Sequence, residues 1–189
     1  MRIKPRSGEK VLIILPQRKF QDEEYSVLKN RLNKINIISE TVIRKGNKAL
    51  GMNGSAIRPD CLFADINLND YRAVALIGGI GAIEHWHDKK IIGLIKKADR
   101  GNLLIGAICL APVTLANAGI LQNKKATCYE SAASYLRFKG AIYTGNPVEV
   151  SENIITAKGP VAAEDFAENL IILLEDQIAK PARAGLSGP

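Results

Sequence analysis

Short apolar runs that stop at a glycine, a proline or a cysteine, each leading into a differently patterned segment, recur along this chain. "KVLIILP" (Lys10–Pro16), "YRAVALIGG" (Tyr71–Gly79) and "NLLIGAIC" (Asn102–Cys109) have the length and uniform apolarity of buried strands. Helical spacing of Tyr25, Leu28, Leu32 and Ile35 marks a helix over Asp22–Ile35, with acids at its start that suit the helix dipole. Ile35–Ile43 reads as the next strand. His87–Gly101 and Leu110–Gly119 read as helices closed by glycine. Between the strands Ile35–Ile43 and Tyr71–Gly79, Arg44–Leu68 is punctuated as hairpin strands with turns at Gly46-Asn47 and Asn53-Gly54. Lys124–Tyr129 is a short strand, "ESAASYLRF" a helix, "NPVEVSENIITAKG" a hairpin and "AAEDFAENLIILLEDQIA" a strong final helix.

Strands that alternate with helices build a largely parallel sheet covered on both faces, an α/β three-layer, doubly wound sandwich. With 189 residues, the expectation is a single domain over residues 1–179 and a frayed tail over 180–189, "KPARAGLSGP". No apolar run is long enough to span a bilayer, and "VLIIL" is broken too early by Pro16 to act as a secretory signal. A cytoplasmic protein is expected. The net charge of +7 is spread along the chain without a run of basic residues, which predicts no nucleic-acid partner and a surface that favours small anions. Cys61, Cys109 and Cys128 are odd in number and widely spaced, so neither a disulfide framework nor a structural zinc site is expected.

Ligands of doubly wound sheets bind at the carboxyl ends of strands. Gly78, Gly79 and Cys109 all fall there. Cys109 sits between a strand and a helix, with small neighbours Gly106, Ala107 and Ala111, and Pro112 suits a first helical turn. This pattern fits a nucleophile elbow, with unpaired N–H groups favouring the thiolate; a small buried hydrophobe fits it as well. The amides of Leu110 and Gly79 are the candidate oxyanion donors. No histidine follows Cys109, and Leu110 directly after it is no base. A carboxylic acid from Asp22, Glu23 or Glu24, at the first β-α turn, is the alternative proton partner; held in a dry pocket it would have a raised pKa.

The segments "KVLIILPQRKFQDEEY", "VALIGGIGAIEHW", "LLIGAICLAPVTLANAGIL", "KKATCY" and "ITAKGPVAAEDFAENLI" together resemble the ThiJ/PfpI superfamily, from about Lys10 to Ile178. The resemblance implies a flavodoxin-like or class I glutamine-amidotransferase-like sandwich, at least a homodimer, and no cofactor or metal. It places the family's glutamate on Glu24, its nucleophile on Cys109, its oxyanion amides on Gly79 and Leu110 beside Gly78, and a pocket tyrosine on Tyr129. It also implies three functions. One is a glyoxalase or deglycase acting on small reactive carbonyls, another an oxidisable stress sensor or chaperone, the third an intracellular cysteine peptidase. The peptidase branch carries histidine directly after the nucleophile, where this chain has Leu110. Glyoxalase-type members often carry histidine where this chain has Tyr129. Glu84 lies one residue from where some members lend a glutamate across a subunit interface. His85 and His87, at i and i+2, would both reach a ligand from an extended segment, yet two histidines make an incomplete metal site. They and Glu84 are assigned to the pocket border or an interface. Cys61 and Cys128 are assigned structural roles.

Overall fold

A computed structural model of the chain describes residues 10–179; the tail at 180–189 lies outside the described residues. Six strands form one sheet in the order β10-β11-β7-β6-β1-β3. They are β1 (Lys10–Leu15), β3 (Ser39–Ile43), β6 (Tyr71–Leu76), β7 (Leu104–Ile108), β10 (Val148–Ser151) and β11 (Ile154–Ala157). All neighbours pair in parallel except β10 with β11, the hairpin read from "NPVEVSENIITAKG". The chain steps from β1 outward to β3, then returns to the other side of β1 for β6, β7 and β11. The switch point therefore lies between β1 and β6, which is where a doubly wound sheet opens a crevice for ligands.

Strand residues alternate between two cores. Leu12, Ile14, Val74 and Leu76 face α2 (Lys89–Arg100), α3 (Pro112–Asn117) and α4 (Ala133–Phe138), whose Ile91, Ile95, Leu115 and Leu136 complete one layer. Val11, Ile13, Ala73 and Ala75 face α1 (Asp22–Lys34) and α5 (Ala163–Ala179), through Leu28, Leu32, Phe166 and Leu170. Both faces are covered, so uniformly apolar strands are what the fold requires. Gly106 has a packing reason for its missing side chain: a Cβ there would lie 2.8 Å from Phe166 Cζ, so α5 rests directly on β7.

Several boundaries differ from the sequence reading. The strand expected from Ile35 begins at Ser39, because Asn36 takes a left-handed turn (φ 60°) after α1 and leaves Ile35 and Ile38 partly exposed. The Arg44–Leu68 stretch holds one short hairpin, β4 (Ala49–Gly51) with β5 (Ala56–Ile57), turning at Asn53-Gly54. A three-residue strand that the periodicity does not announce, β2 (Arg18–Phe20), pairs with β4 and fastens the hairpin near the end of β1. The short strand read at Lys124–Tyr129 is β8 (Lys125–Ala126), which pairs with an unannounced β9 (Ile142–Tyr143) so that the two bracket α4. No helix among the described residues is long and apolar enough to cross a membrane.

Candidate functional site

The first β-α turn separates the three acids. Glu23 is exposed. Asp22 accepts the N–H groups of Asn53 (2.8 Å) and Ser55 (3.0 Å); against the upward pull of burial, these bonds hold its carboxyl below the usual range. It ties down the β4–β5 hairpin. Glu24 alone turns inward and is 1% exposed. Its Oε2 accepts the Gly78 N–H at 2.9 Å, so the acid of the first turn is fixed to the glycine pair after β6. The same turns are stitched by the Gln21 N–H, which donates to the Gly78 carbonyl at 3.1 Å.

Cys109 follows β7 in a left-handed conformation, φ 65°, which is unfavourable for any residue with a Cβ. Two bonds hold it there. Its N–H donates to the Ala157 carbonyl at 2.9 Å, and its own carbonyl accepts the Tyr129 N–H at 2.8 Å. The side chain is thereby thrust from the end of the strand toward Gly78 and Glu24. A Cβ on Gly78 would collide with the Cβ of Cys109 and lie 2.6 Å from the Ile108 carbonyl oxygen and 2.9 Å from Glu24 Oε2. Gly79, at φ 89°, is equally bound to remain glycine, since a Cβ there would strike the Lys19 carbonyl oxygen and lie 2.6 Å from the Gln21 nitrogen. Cys109 is 7% exposed, so the sulfur has a narrow opening rather than a broad surface.

Burial pushes the Glu24 carboxyl up to about 8; the Gly78 amide and the Cys109 thiol oppose that rise without cancelling it. The acid is therefore protonated at neutral pH. Carboxyl and thiol act on each other's proton, although Oε1 has no partner in good hydrogen-bond geometry. The thiol departs from expectation. Burial, and then the negative charge Glu24 would carry when ionised, push it up to about 12; the amides of Gly79 and Leu110 pull the other way. An exposed thiol at a helix end would have been lowered. Here the sulfur is desolvated, and α3 begins only at Pro112, so Leu110 and Ala111 intervene between the thiol and the helix. With Glu24 protonated, its contribution to the thiol's rise is absent, and the pair behaves as one site that gives up a first proton jointly.

A chain of three hydrogen bonds that supports the site is not legible in the sequence. Trp86 Nε1–H donates to the Leu110 carbonyl at 3.0 Å and orients the peptide next to Cys109. Asn117 Nδ2–H in turn donates to the Trp86 carbonyl at 2.7 Å, and Tyr135 O–H donates to Asn117 Oδ1 at 3.2 Å. Tyr129 meets the site through its backbone; its ring is half-exposed and lies over Gly159, where a Cβ would come within 3.4 Å. Cys128 is fully buried with its thiol pushed up to about 12 by burial, as suits a structural role, whereas Cys61 is half-buried at a cleft wall.

The histidines require a correction. Ile80–His85 is a run of 3-10 helix, not an extended segment, so His85 and His87 point different ways: His85 is 1% exposed and His87 is on the surface. Gly81, inside this run, lies so close to β2 that a Cβ would collide with the Arg18 carbonyl oxygen. Glu84 accepts the Gln17 N–H at 2.6 Å, and its Oε1 lies 3.3 Å from His85 Nε2. No group of three or more potential metal ligands occurs among the described residues.

Comparison with known proteins bears on the family and the fold. The family model described as the DJ-1/PfpI family matches residues 9–173. An uncharacterized protein of Methanocaldococcus jannaschii is 39% identical, over 88% of this chain and 82% of that one. The Caenorhabditis elegans glutathione-independent glyoxalase DJR-1.2 is 30% identical over 65% of each chain. Among solved structures, a ThiJ/PfpI domain protein from Brachyspira murdochii superposes with a TM-score of 0.87 at 30% identity, covering 90% of this chain and 99% of that one.

Proposed function

Since the chain belongs to the DJ-1/PfpI family, we propose that it is a cofactor-independent enzyme that acts on small reactive carbonyls, with Cys109 as nucleophile and Glu24 as acid and base. The observation that carries this reading is the buried Glu24 carboxyl, fixed by the Gly78 amide and set against a sulfur thrust out of a strained turn. The similarity to a glyoxalase supports the substrate class. In the form of the pair that has lost one proton, the sulfur attacks the aldehyde carbon of a dicarbonyl such as methylglyoxal, and the Glu24 proton ends on the carbonyl oxygen. The amides of Gly79 and Leu110 hold that oxygen while it carries charge, each donor contributing about 3 kcal/mol. Glu24 carboxylate then takes the proton from the former aldehyde carbon and delivers it to the neighbouring carbon, while the hydroxyl proton on the first carbon's oxygen passes to the oxygen of the second. The first carbon is oxidised to a thioester and the second reduced to an alcohol. Water cleaves the thioester, giving a 2-hydroxy acid (lactate from methylglyoxal) and restoring the thiol. Lactate formation by wild type, Cys109→Ser and Glu24→Gln is the test: activity confined to wild type supports the reading, and equal rates in all three overturn it.

The same surroundings support a second reading, an oxidation sensor. The two amides and the protonated carboxyl that stabilise an oxyanion also suit the oxygens of a sulfinate. One thiolate and two molecules of hydrogen peroxide give one sulfinate and two waters. A mass gain of two oxygens at Cys109 under mild peroxide, in a protein inert to methylglyoxal, selects this reading. A peptidase is less well supported, because neither histidine acts on the Cys109 thiol within the chain.

A further inference from the structure

A second cleft, lined by neither Cys109, Glu24 nor Tyr129, lies beside β3 and the start of α2. It has two lobes that share Arg44 and Lys45. The larger, about 400 Å³, adds Ile43, Leu62, Phe63 and Lys90, and its lining holds three cations and no acid. That volume suits a small organic ligand. The smaller, about 170 Å³, adds Gln17, Glu84, His85 and Asp88.

The charges in the cleft are already sorted. Asp88 caps α2, accepting the N–H groups of Lys90 and Ile91, and it also takes Arg44 Nε at 3.1 Å. Glu84 is engaged by the Gln17 N–H. Both carboxylates that border the small lobe are therefore committed to the fold. Arg44 is held on its other side by the Phe63 ring, 5.0 Å from the centroid, so its guanidinium is preset with the contact to Asp88 made through Nε. Among the described residues, Lys45 and Lys90 enter no ion pair. His85 is the second, independent observation. It lines the small lobe and is 1% exposed; Nδ1 has no hydrogen-bond partner, and Nε2 has beside it only the Glu84 oxygen at 3.3 Å, which the Gln17 N–H already engages. A buried imbalance of this kind is costly unless something else completes it.

We propose that this cleft is a second binding site, taking an organic anion with a flat apolar body. The anionic group sits between Arg44 and Lys45 with the His85 N–H as a further donor. The body lies against Ile43, Leu62 and Phe63. Lys90 closes the rim, and the net positive charge of the chain draws such ligands in.

The probe is 8-anilinonaphthalene-1-sulfonate, with the neutral N-phenyl-1-naphthylamine as its uncharged counterpart. Fluorescence titration of wild type at low salt is expected to saturate with one site, at least tenfold tighter for the sulfonate. A Lys45→Glu/Lys90→Glu variant is expected to lose at least tenfold in sulfonate affinity while keeping wild-type circular dichroism, and Cys109→Ser is expected to bind as wild type does. The His85 imidazole resonance is expected to move on saturation. Absence of saturable binding, equal binding of the neutral compound, unchanged affinity in the double variant, or a stationary His85 signal each overturns the proposal. Loss of binding in Cys109→Ser would place the probe at the thiol instead and overturn it too.

Discussion

The side chain of Cys109 begins in the space that any side chain on Gly78 would need: a Cβ there would collide with the Cβ of Cys109. The glycine is thus part of the thiol's setting, and its N–H is at the same time what fixes Glu24.

Gly78→Ala is therefore expected to displace the sulfur, the carboxyl or both. Methylglyoxal turnover falls at least a hundredfold, and overpacking lowers stability by about 1–3 kcal/mol in urea unfolding. Retention of full activity would contradict the placement of Gly78.

The left-handed backbone at Cys109 predicts an inverted ranking of two inactive variants. Cys109→Gly accepts a positive φ without penalty, whereas Cys109→Ala retains the strain. In most buried positions glycine is the less stable of the two; here it is expected to be the more stable by about 1 kcal/mol, read from denaturant midpoints.

Burial of Glu24 makes stability depend on pH with a definite sign. Its folded value, about 8, is above the ordinary 4.5, so the folded protein binds this proton more tightly than the unfolded chain does. The contribution is fully present below 4.5, declines as pH rises from 4.5 to 8, and is gone above 8. Cys109, raised from 9, acts only at higher pH. Glu24→Gln removes the titration. It is expected to match wild type at pH 4.5 and to exceed it by up to about 4 kcal/mol at pH 8.5, in paired urea titrations.

The same proton sets the rate. If the pair reacts after losing one proton, kcat/KM for methylglyoxal rises with pH and levels off above about 8. Thiol alkylation by iodoacetamide follows the same curve. In Glu24→Gln the sulfur titrates alone, still desolvated, and the alkylation curve moves to pH above 9. An unshifted curve would show that the carboxyl has no part in the thiol's ionisation.

Much of this arrangement could be read from residue order. Strand ends at Gly78 and Cys109 followed from apolar runs that stop abruptly, and a carboxyl partner followed from the lack of any histidine after Cys109. Resemblance, rather than spacing, singled out Glu24 from Asp22 and Glu23; the structure gives the reason, since Asp22 is occupied by the hairpin and Glu23 faces water. What stayed hidden depends on contacts between distant segments. The 3-10 run that parts His85 from His87 packs through Gly81 on Arg18, and the Trp86 bond to Leu110 joins segments with no shared pattern. The raised thiol was also missed, because helix-end reasoning assumes a solvent that the folded core excludes.

The backbone of Cys109 is pinned by Ala157 on one side and Tyr129 on the other, both later in the chain. A growing polypeptide thus displays an ordinary cysteine until β11 docks onto β7, and only the finished sheet turns it into a specialised one.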